Sequence, residues 1–337
     1  MQGLEEIKAK LDKTDEKIIE LIDEKRELIK LISKVKYKES TAEFVCKEYM
    51  DFDIKRVVYQ GVEGAYSHIV TKKLFPDVET ENVNTFEDAI NEVLNGNAKY
   101  CIIPIENSSA GIVSDVYDLL LKKDVVIVAE YDLHISHCLL GVRGAKPDDI
   151  RTVYSHPQAL MQCSAYLKEH TGWSQISLLN TALSAKKVRD DKDISQAAIA
   201  SRLSGDLYDL DVLDEGINRN VNNTTRFVVL SKEKIFSKKS NKLSLILELP
   251  HEKGMLYNIL GIFVLNGLNL VKVESRPIPE KTFEYRFFID IEGNLSLSNV
   301  SNVLEILKKE ENKPDFDTDQ KASSWKIVLE HFDNEAQ

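Results

Sequence analysis

The chain has 337 residues, 43% of them hydrophobic and 29% charged, a globular balance that at about 100–200 residues per domain predicts two or three units. Its formal net charge is −11 and its pI about 5.3, which disfavours a general nucleic-acid or anionic-membrane binder but still allows a locally basic pocket for a small anion. Four cysteines, Cys46, Cys101, Cys138 and Cys163, stand far apart with no CxxC pair; a zinc ribbon and a thioredoxin-like motif are excluded and reduced thiols are expected. No apolar run approaches roughly 18 residues and the N-terminus alternates charged with apolar residues, so a soluble cytoplasmic protein without membrane or signal segment is expected.

Residues 1 to about 36 read as one amphipathic helix, with Leu4, Ile7, Leu11, Ile18, Leu21, Leu28, Ile32 and Val35 at three- and four-residue steps. At about 1.5 Å per residue it would be roughly 50 Å long. It is too narrow to bury its stripe alone and needs a partner helix, in its own chain or in a second one, as in a coiled-coil dimer. Residues 37–54 look like a connector. From Lys55 onward short apolar runs alternate with helical stretches: Arg56–Tyr59, Lys99–Ile103, Val125–Val128, Cys138–Gly141, Arg151–Tyr154, Gln196–Ala200 and Arg226–Leu230 with helices at Thr85–Leu94 and Pro157–His170. This alternation predicts two α/β modules with mostly parallel sheet, closed by a returning strand at Thr225–Leu230. A polar tract at Ser237–Asn241 reads as a linker. Beyond it Leu243–Leu249, helical Gly254–Asn266, Leu270–Ser275, Glu284–Ile291, helical Ser298–Lys309 and Trp325–Leu329 give a ferredoxin-like β-α-β-β-α-β order.

Six segments place polar groups where chemistry is possible. Gly61-Val-Glu-Gly-Ala-Tyr-Ser-His68 follows a strand and opens a helix, either a tight turn or an anion site built from backbone N–H groups. Pro104-Ile-Glu-Asn-Ser-Ser-Ala-Gly111 also follows a strand, with Glu106 and Asn107 as ligand-facing groups or the Asn-Ser-Ser stretch as a plain helix cap. In Tyr154–Cys163, Ser155 and Pro157 suit a helix start, Gln162 lies about two turns on, and His156 is an acid–base candidate or a structural histidine. Asn222-Asn-Thr-Thr-Arg-Phe227 is a polar turn entering a strand. There Arg226 can grip a carboxylate in two-point fashion, or be a solvated charge. Val273–Pro277 and Gly254–Tyr257 suggest a small-ligand site or an ordinary domain turn. His134 and His137 are close together but lack carboxylate or thiolate partners at ligand spacing, so no metal site is expected.

Taken together, in this order and spacing, Gly61–His68, Pro104–Ser108, Tyr154–Cys163 and Thr225-Arg226-Phe227 resemble the prephenate dehydratase family over about residues 55–232. Residues 241–330 look like the ACT regulatory domain appended to that enzyme. The resemblance implies a two-lobed α/β domain like type II periplasmic binding proteins, followed by an α+β ferredoxin-like domain. Residues 1–54 are similar to the first helix of the chorismate mutase fused ahead of the dehydratase in bifunctional enzymes, through Leu11–Ile19 and Glu24–Leu28. They are too short for its three helices, and Lys8 and Lys25 stand where arginines are usual, with Lys36 matching a lysine. Lysine keeps the charge but loses the planar fork, so a remnant or docking helix is expected there.

The resemblance further implies conversion of prephenate to phenylpyruvate, carbon dioxide and water in L-phenylalanine biosynthesis, without metal or organic cofactor. Thr225 matches the proton donor to the leaving hydroxyl; Asn107, Ser155 and Gln162 match residues that orient ring and leaving group. Arg226 is the expected carboxylate clamp, backbone N–H groups of Gly64, Ala65, Tyr66 and Ser67 a second anion site, and Ser108 and Thr181 further cleft residues. Feedback by L-phenylalanine is expected through Gly254, Met255, Leu256 and Tyr257 with Glu274, Ser275 and Arg276, at an interface between copies in a homodimer or homotetramer. The rival readings are a non-catalytic binding module fused to an ACT sensor, and a bifunctional enzyme with a working mutase.

Overall fold

The structure, a computed structural model, describes residues 2–32, 45–47, 54, 56–218, 220, 222–237, 239–249, 253–279, 281, 284–311 and 325–329. The chain forms two units, one built on residues 51–233 and the other on residues 1–50 together with 234–332.

Residues 51–233 make two lobes between which the chain passes twice. In the first lobe Glu79–Val83, Arg56–Gln60, Tyr100–Asn107, Thr224–Ser231 and Val126–His134 lie side by side, with Gly111–Ile112 paired to Tyr100–Asn107. The second orders Asp211–Glu215, Cys138–Gly141, Gln196–Ala200, Thr152–Ser155 and Ser174–Ser177. In each five-strand order four strands run in one direction and one antiparallel strand enters from the other lobe, Thr224–Ser231 in the first and Cys138–Gly141 in the second. The directions are mostly parallel, as expected, but the inserted strand makes each sheet mixed. A strand that arrives from another lobe has no crossover helix to turn it parallel.

The strands legible in sequence are apolar ones, most of them central, with Val126–His134, Leu270–Pro277 and Trp325–Leu329 legible at sheet edges. Cys101, Ile102 and Ile103 are completely buried, as expected of a strand covered on both faces. In the second lobe Leu139 with Ala197 and Ile199 enters one core while Leu140 with Ala198 and Ala200 enters another, on the opposite face. Glu79–Val83, Ser174–Ser177 and Asp211–Glu215 are mostly exposed, polar and at sheet edges. Such strands carry no apolar run to reveal them. The helix expected over Pro157–His170 breaks into Pro157–Gln162 and Ser164–Glu169 at Cys163, whose backbone leaves the helical region (φ −95, ψ 11) while its side chain is fully buried.

In the other unit Leu270–Pro277, Tyr285–Glu292, Lys242–Glu248 and Trp325–Leu329 form an antiparallel sheet in that order. Helices Met255–Leu265 and Ser298–Glu311 cover one face through Ile259, Phe263, Val300 and Leu304 against Leu243, Leu245 and Ile289. This is the ferredoxin-like arrangement. Val45–Lys47, within the first expected connector, pairs in parallel with Ile235–Ser237, which ends on the first residue of the second; Ile235 and Phe236 are buried, Phe236 in the core of this unit. The N-terminal helix runs Gln2–Ile32; residues 33–36 of the predicted helix, including Val35 and Lys36, lie outside the described residues. Within one chain Ile7, Leu11, Ile18 and Leu21 are 48–65% exposed. Among the described residues no helix is long and apolar enough to cross a membrane.

Candidate functional site

Tyr100–Asn107 and Thr224–Ser231 pair with Thr225 opposite Asn107 and Arg226 opposite Glu106. Side chains alternate along a strand, so Asn107 and Thr225 share one face while Glu106 and Arg226 take the other. Where its strand ends, Asn107 folds back on the turn: Oδ1 accepts from the N–H groups of Ser109 and Ala110, both at 3.0 Å. With that oxygen held by backbone donors, Nδ2 faces the other way and donates to Thr225 Oγ1 and to Asn223 Oδ1, each at 2.8 Å. A hydroxyl oxygen that accepts keeps its own proton for another partner. Among the described residues nothing accepts the Thr225 proton.

The same logic extends outward. Gln162, at the end of helix Pro157–Gln162, donates from Nε2 to Asn107 Oδ1 at 3.4 Å. Its Oε1 then faces His137, whose Nε2 lies 2.8 Å away. An amide oxygen can only accept, so the ring proton sits on Nε2 and Nδ1 is bare. Tyr66 completes the run with its hydroxyl 2.9 Å from Nδ1. Burial lowers the His137 pKa, with the Gln162 bond opposing, and raises that of Tyr66 well above its usual value. Both groups are accordingly neutral near pH 7, and the run has one direction from His137 Nε2–H to Thr225 Oγ1, while the Tyr66 hydroxyl has two acceptors in reach, His137 Nδ1 and the Ser136 carbonyl at 3.3 Å.

Beside it lies a cavity of about 490 Å³, lined by Ser109, Gln162, Ser164, Asn218, Asn220 and Asn223, with Met161 as the apolar member. All of these are uncharged. Asn220 Nδ2 donates to Ser109 Oγ at 3.0 Å, which leaves the Ser109 proton, like that of Thr225, to be given to a ligand. The arrangement suits an oxygen-rich small molecule held by neutral donors, with one aimed hydroxyl. The described cysteines offer no rival nucleophile, since burial holds the thiols up, to about 12 for Cys163.

Several expected site residues are placed differently. Arg226 points away from Thr225 and is only 13% exposed, its Nε 3.4 Å from the carboxylate of Glu130, itself 3% exposed. It is an internal ion-pair partner instead of the cleft's carboxylate clamp. The Ser155 hydroxyl is buried and donates to the Ile199 carbonyl at 2.6 Å, tying two strands together. The Gly64 N–H donates to His68 Nδ1 at 3.1 Å and the Ala65 N–H to the Val62 carbonyl at 3.0 Å. Of the four groups proposed as an anion site, only the first-turn N–H groups of Tyr66 and Ser67 remain. Gly64 instead joins the lobes: its carbonyl accepts from Ser201 Oγ at 3.1 Å and Ser204 Oγ at 3.0 Å. A Cβ on it would stand 2.9 Å from Ser204 Oγ, and its φ of +85 is one that L side chains rarely adopt. Ser108 bonds with Thr224 and Asn222 across its turn. Thr181 opens helix Thr181–Asp191 behind the Asn180 cap, and His156 caps its helix by accepting from the Gln158 N–H. Neither Thr181 nor His156 is among the residues lining the cavity, and Thr225 and Asn107 are not either, but Asn107 is bonded to two that are, Asn223 and Gln162, and through its other bond to Thr225.

In the C-terminal unit, alternation again divides the expected set. Ser275 pairs opposite Phe287 and Leu247 on the helix-covered face, whereas Glu274 and Arg276 pair opposite Phe288 and Arg286 on the other. Gly254 caps Met255–Leu265 at φ +81, and a Cβ there meets nothing within 4 Å. Met255 packs on the core; Leu256 and Tyr257 are 37% and 79% exposed. Sequence reasoning missed His137, Asn218 and Asn223, and credited Tyr66 only with its backbone. The available signal was a histidine between Ile135 and the apolar Cys138-Leu-Leu run, a polar group placed to be buried.

Residues 57–235 match the family model described as prephenate dehydratase. Among curated relatives, the prephenate dehydratase of Methanocaldococcus jannaschii is 40% identical over 71% of this chain and 89% of its own length. The chloroplastic arogenate dehydratase/prephenate dehydratase 1 of Arabidopsis thaliana is 37% identical over 75% of this chain and 69% of its own. Among solved structures, the prephenate dehydratase of Arthrobacter aurescens in complex with L-Phe matches with a TM-score of 0.73 at 25% identity, covering 84% of this chain and 91% of that one.

The placement of Arg226 generates a stability test. Arg226→Met leaves the Glu130 carboxylate buried without this partner and should destabilise the protein by about 3–5 kcal/mol in urea titrations. Adding Glu130→Leu should restore most of the loss. An Arg226→Met protein as stable as wild type would show that the pair is not what holds this side chain.

Proposed function

Since the chain belongs to the prephenate dehydratase family, we propose that it converts prephenate to phenylpyruvate with release of carbon dioxide and water. One observation carries the reading: Thr225 Oγ1 accepts from Asn107, so its proton is the one directed toward a ligand. The ring C4–O bond breaks as the hydroxyl takes up a proton and leaves as water. The electron pair of the departing carboxylate enters the ring, which becomes aromatic. Threonine is a very weak acid, so the transfer works late, when C–O cleavage is advanced and the leaving oxygen is strongly basic, and a proton from solvent restores the Thr225 hydroxyl. Asn107 and Gln162 hold the donor in line, and the cavity's hydroxyls and amides receive the carboxylates and the keto side chain. No described lining residue is a carboxylate that would pair with an ammonium, which favours the keto acid prephenate over the amino acid arogenate, the other substrate in the Arabidopsis relative's name.

The C-terminal unit supports an ACT reading through its ferredoxin-like order and through the L-Phe complex of the Arthrobacter relative. We assign L-phenylalanine as the effector, bound between two copies in a homodimer or homotetramer. The open space around Gly254 in one copy and the exposed Tyr257 fit a site that a second copy completes. The opposite facing of Glu274 and Arg276 leaves Ser275 as the member of that strand on the Gly254 side. Residues 1–54 take no part in catalysis in this reading, and the protein acts in the cytoplasm.

Purified protein given prephenate should form phenylpyruvate, read by its absorbance in alkali. Thr225→Ala should lower kcat by at least about 100-fold, the range for a positioned proton donor, while Thr225→Ser keeps much more. Turnover near wild type in both variants would remove Thr225 from the role. Arogenate should be turned over more slowly than prephenate, and equal rates would contradict the selection argued from the uncharged lining.

Millimolar L-phenylalanine should reduce turnover and raise Tm, since a ligand that binds one state must favour it. Gly254→Val should weaken both effects while sparing activity without effector. If L-phenylalanine moves neither turnover nor Tm, the C-terminal unit is an assembly domain only.

A further inference from the structure

We propose that His137 is a positioning residue for this reaction: set where the chain crosses between the lobes, it locks the Gln162 amide in one orientation and so carries lobe closure into the aim of the Thr225 hydroxyl. The proposal deepens the dehydratase reading above and rests on it.

The hydrogen-bonded run changes lobes as it goes. Tyr66, Asn107 and Thr225 belong to the first lobe and Gln162 to the second, while His137 lies on the crossover between strands Val126–His134 and Cys138–Gly141. Its backbone is held on both sides, the N–H donating to Asn218 Oδ1 at 2.9 Å and the carbonyl accepting from the Ile217 N–H at 3.1 Å. Asn218 and Ile217 sit on the return crossover, so the backbone of His137 is tied to both segments that link the lobes. At 2% exposure it has little access to solvent, and Tyr66 stands edge-on to it, ring centroids 5.8 Å apart.

A glutamine amide presents two alternatives related by a half-turn, and only one serves here. With Nε2 toward Asn107 and Oε1 toward His137, both contacts join a donor to an acceptor. After a half-turn, the amide oxygen would oppose Asn107 Oδ1, which its backbone bonds cannot release. The amide N–H₂ would then oppose the ring N–H. The His137 Nε2–H selects between the two, and the Tyr66 hydroxyl, 2.9 Å from Nδ1 and 3.3 Å from the Ser136 carbonyl, supports the tautomer that has it whenever it donates to Nδ1. Without this lock Gln162 loses its grip on Asn107, the lobe-to-lobe contact at the donor loosens, and Thr225 is no longer held in line. Misplacement of a reacting group by about 1 Å can cost on the order of 100-fold in rate. The donors that line the cavity at Ser109, Ser164 and Asn220 are untouched, so binding should change far less than turnover.

The test compares wild type with His137→Leu, His137→Gln and Tyr66→Phe on prephenate, with folding checked by circular dichroism and Tm. Wild type that forms no phenylpyruvate would fail the dehydratase reading itself, before any variant is compared. With wild type active, His137→Leu should lower kcat by about 30-fold or more and leave KM within about threefold. His137→Gln places an amide N–H near the position of Nε2–H and should recover kcat to within about tenfold of wild type. Tyr66→Phe should lower kcat about 3–10-fold with KM unchanged. A folded His137→Leu protein with kcat within about threefold of wild type overturns the proposal, as does a glutamine variant no better than leucine. A KM that rises as much as kcat falls indicates a distorted cavity and overturns it too. If His137→Leu does not fold, Tyr66→Phe decides: an unchanged kcat rejects the lock, and a loss confined to kcat supports it.

Discussion

The N–H groups of Ser109 and Ala110 hold Asn107 Oδ1, and the remaining polarities of the cleft depend on that grip. Turning the Asn107 amide would forfeit both bonds and set its N–H₂ against two backbone donors, at about 0.5–1.5 kcal/mol for each bond lost at this exposed turn. Because it does not turn, Nδ2 must face Thr225, and the threonine oxygen becomes an acceptor with its proton directed outward. Because Oδ1 is an acceptor only, Gln162 must present Nε2 and His137 must carry its proton on Nε2, which leaves Nδ1 bare toward the Tyr66 hydroxyl. A turn of the backbone thus sets the direction of a four-residue run from His137 to Thr225. A threonine used as an acid gains nothing in acidity from such a setting; it gains fixed aim, which suits a reaction driven by aromatisation.

The site is assembled from both lobes and has little charge of its own. Gly64 receives two serine hydroxyls from across the cleft, and Tyr208 donates to the Glu63 carbonyl at 2.9 Å, so the same loop that opens the Tyr66 helix holds the lobes together near the run. The nearby arginine is engaged elsewhere. Arg226 compensates a nearly buried Glu130 on the opposite face of the sheet, where removing one partner is more damaging than never having had the pair. Substrate recognition by amides and hydroxyls, with no cation among the described lining residues, relies on the number and direction of donors and on excluding water.

Much of the fold was legible because the central strands are apolar runs buried on both faces and the helices have clear starts, such as the Thr85 capping box with Asp88. The edge strands Glu79–Val83, Ser174–Ser177 and Asp211–Glu215 were hidden by their polarity. Of the site, Asn107, Gln162 and Thr225 were found through family resemblance, and the structure brings them within hydrogen-bonding reach. Two misplacements were open to correction from the sequence alone. Thr225 and Arg226 are consecutive in a strand and cannot both face one cleft; Glu274, Ser275 and Arg276 cannot all face one effector. The strand period had been used to find these segments but not to sort their side chains. His137 and Ser155 are another matter. Which hydroxyl ties strands and which imidazole bridges lobes depends on tertiary neighbours, Ile199 in one case and Gln162 with Tyr66 in the other, and these are distant in sequence.

The direction of the run can be read without any substrate. In the intact protein, ¹⁵N chemical shifts of the His137 ring distinguish the two neutral tautomers from each other and from the imidazolium. The account predicts a neutral ring at pH 7 with the proton on Nε2 and a bare, hydrogen-bonded Nδ1, unchanged on moderate acidification because burial holds its pKa down. A proton on Nδ1, or a charged ring at pH 7, would contradict the polarity deduced from Asn107 and with it the aim assigned to Thr225.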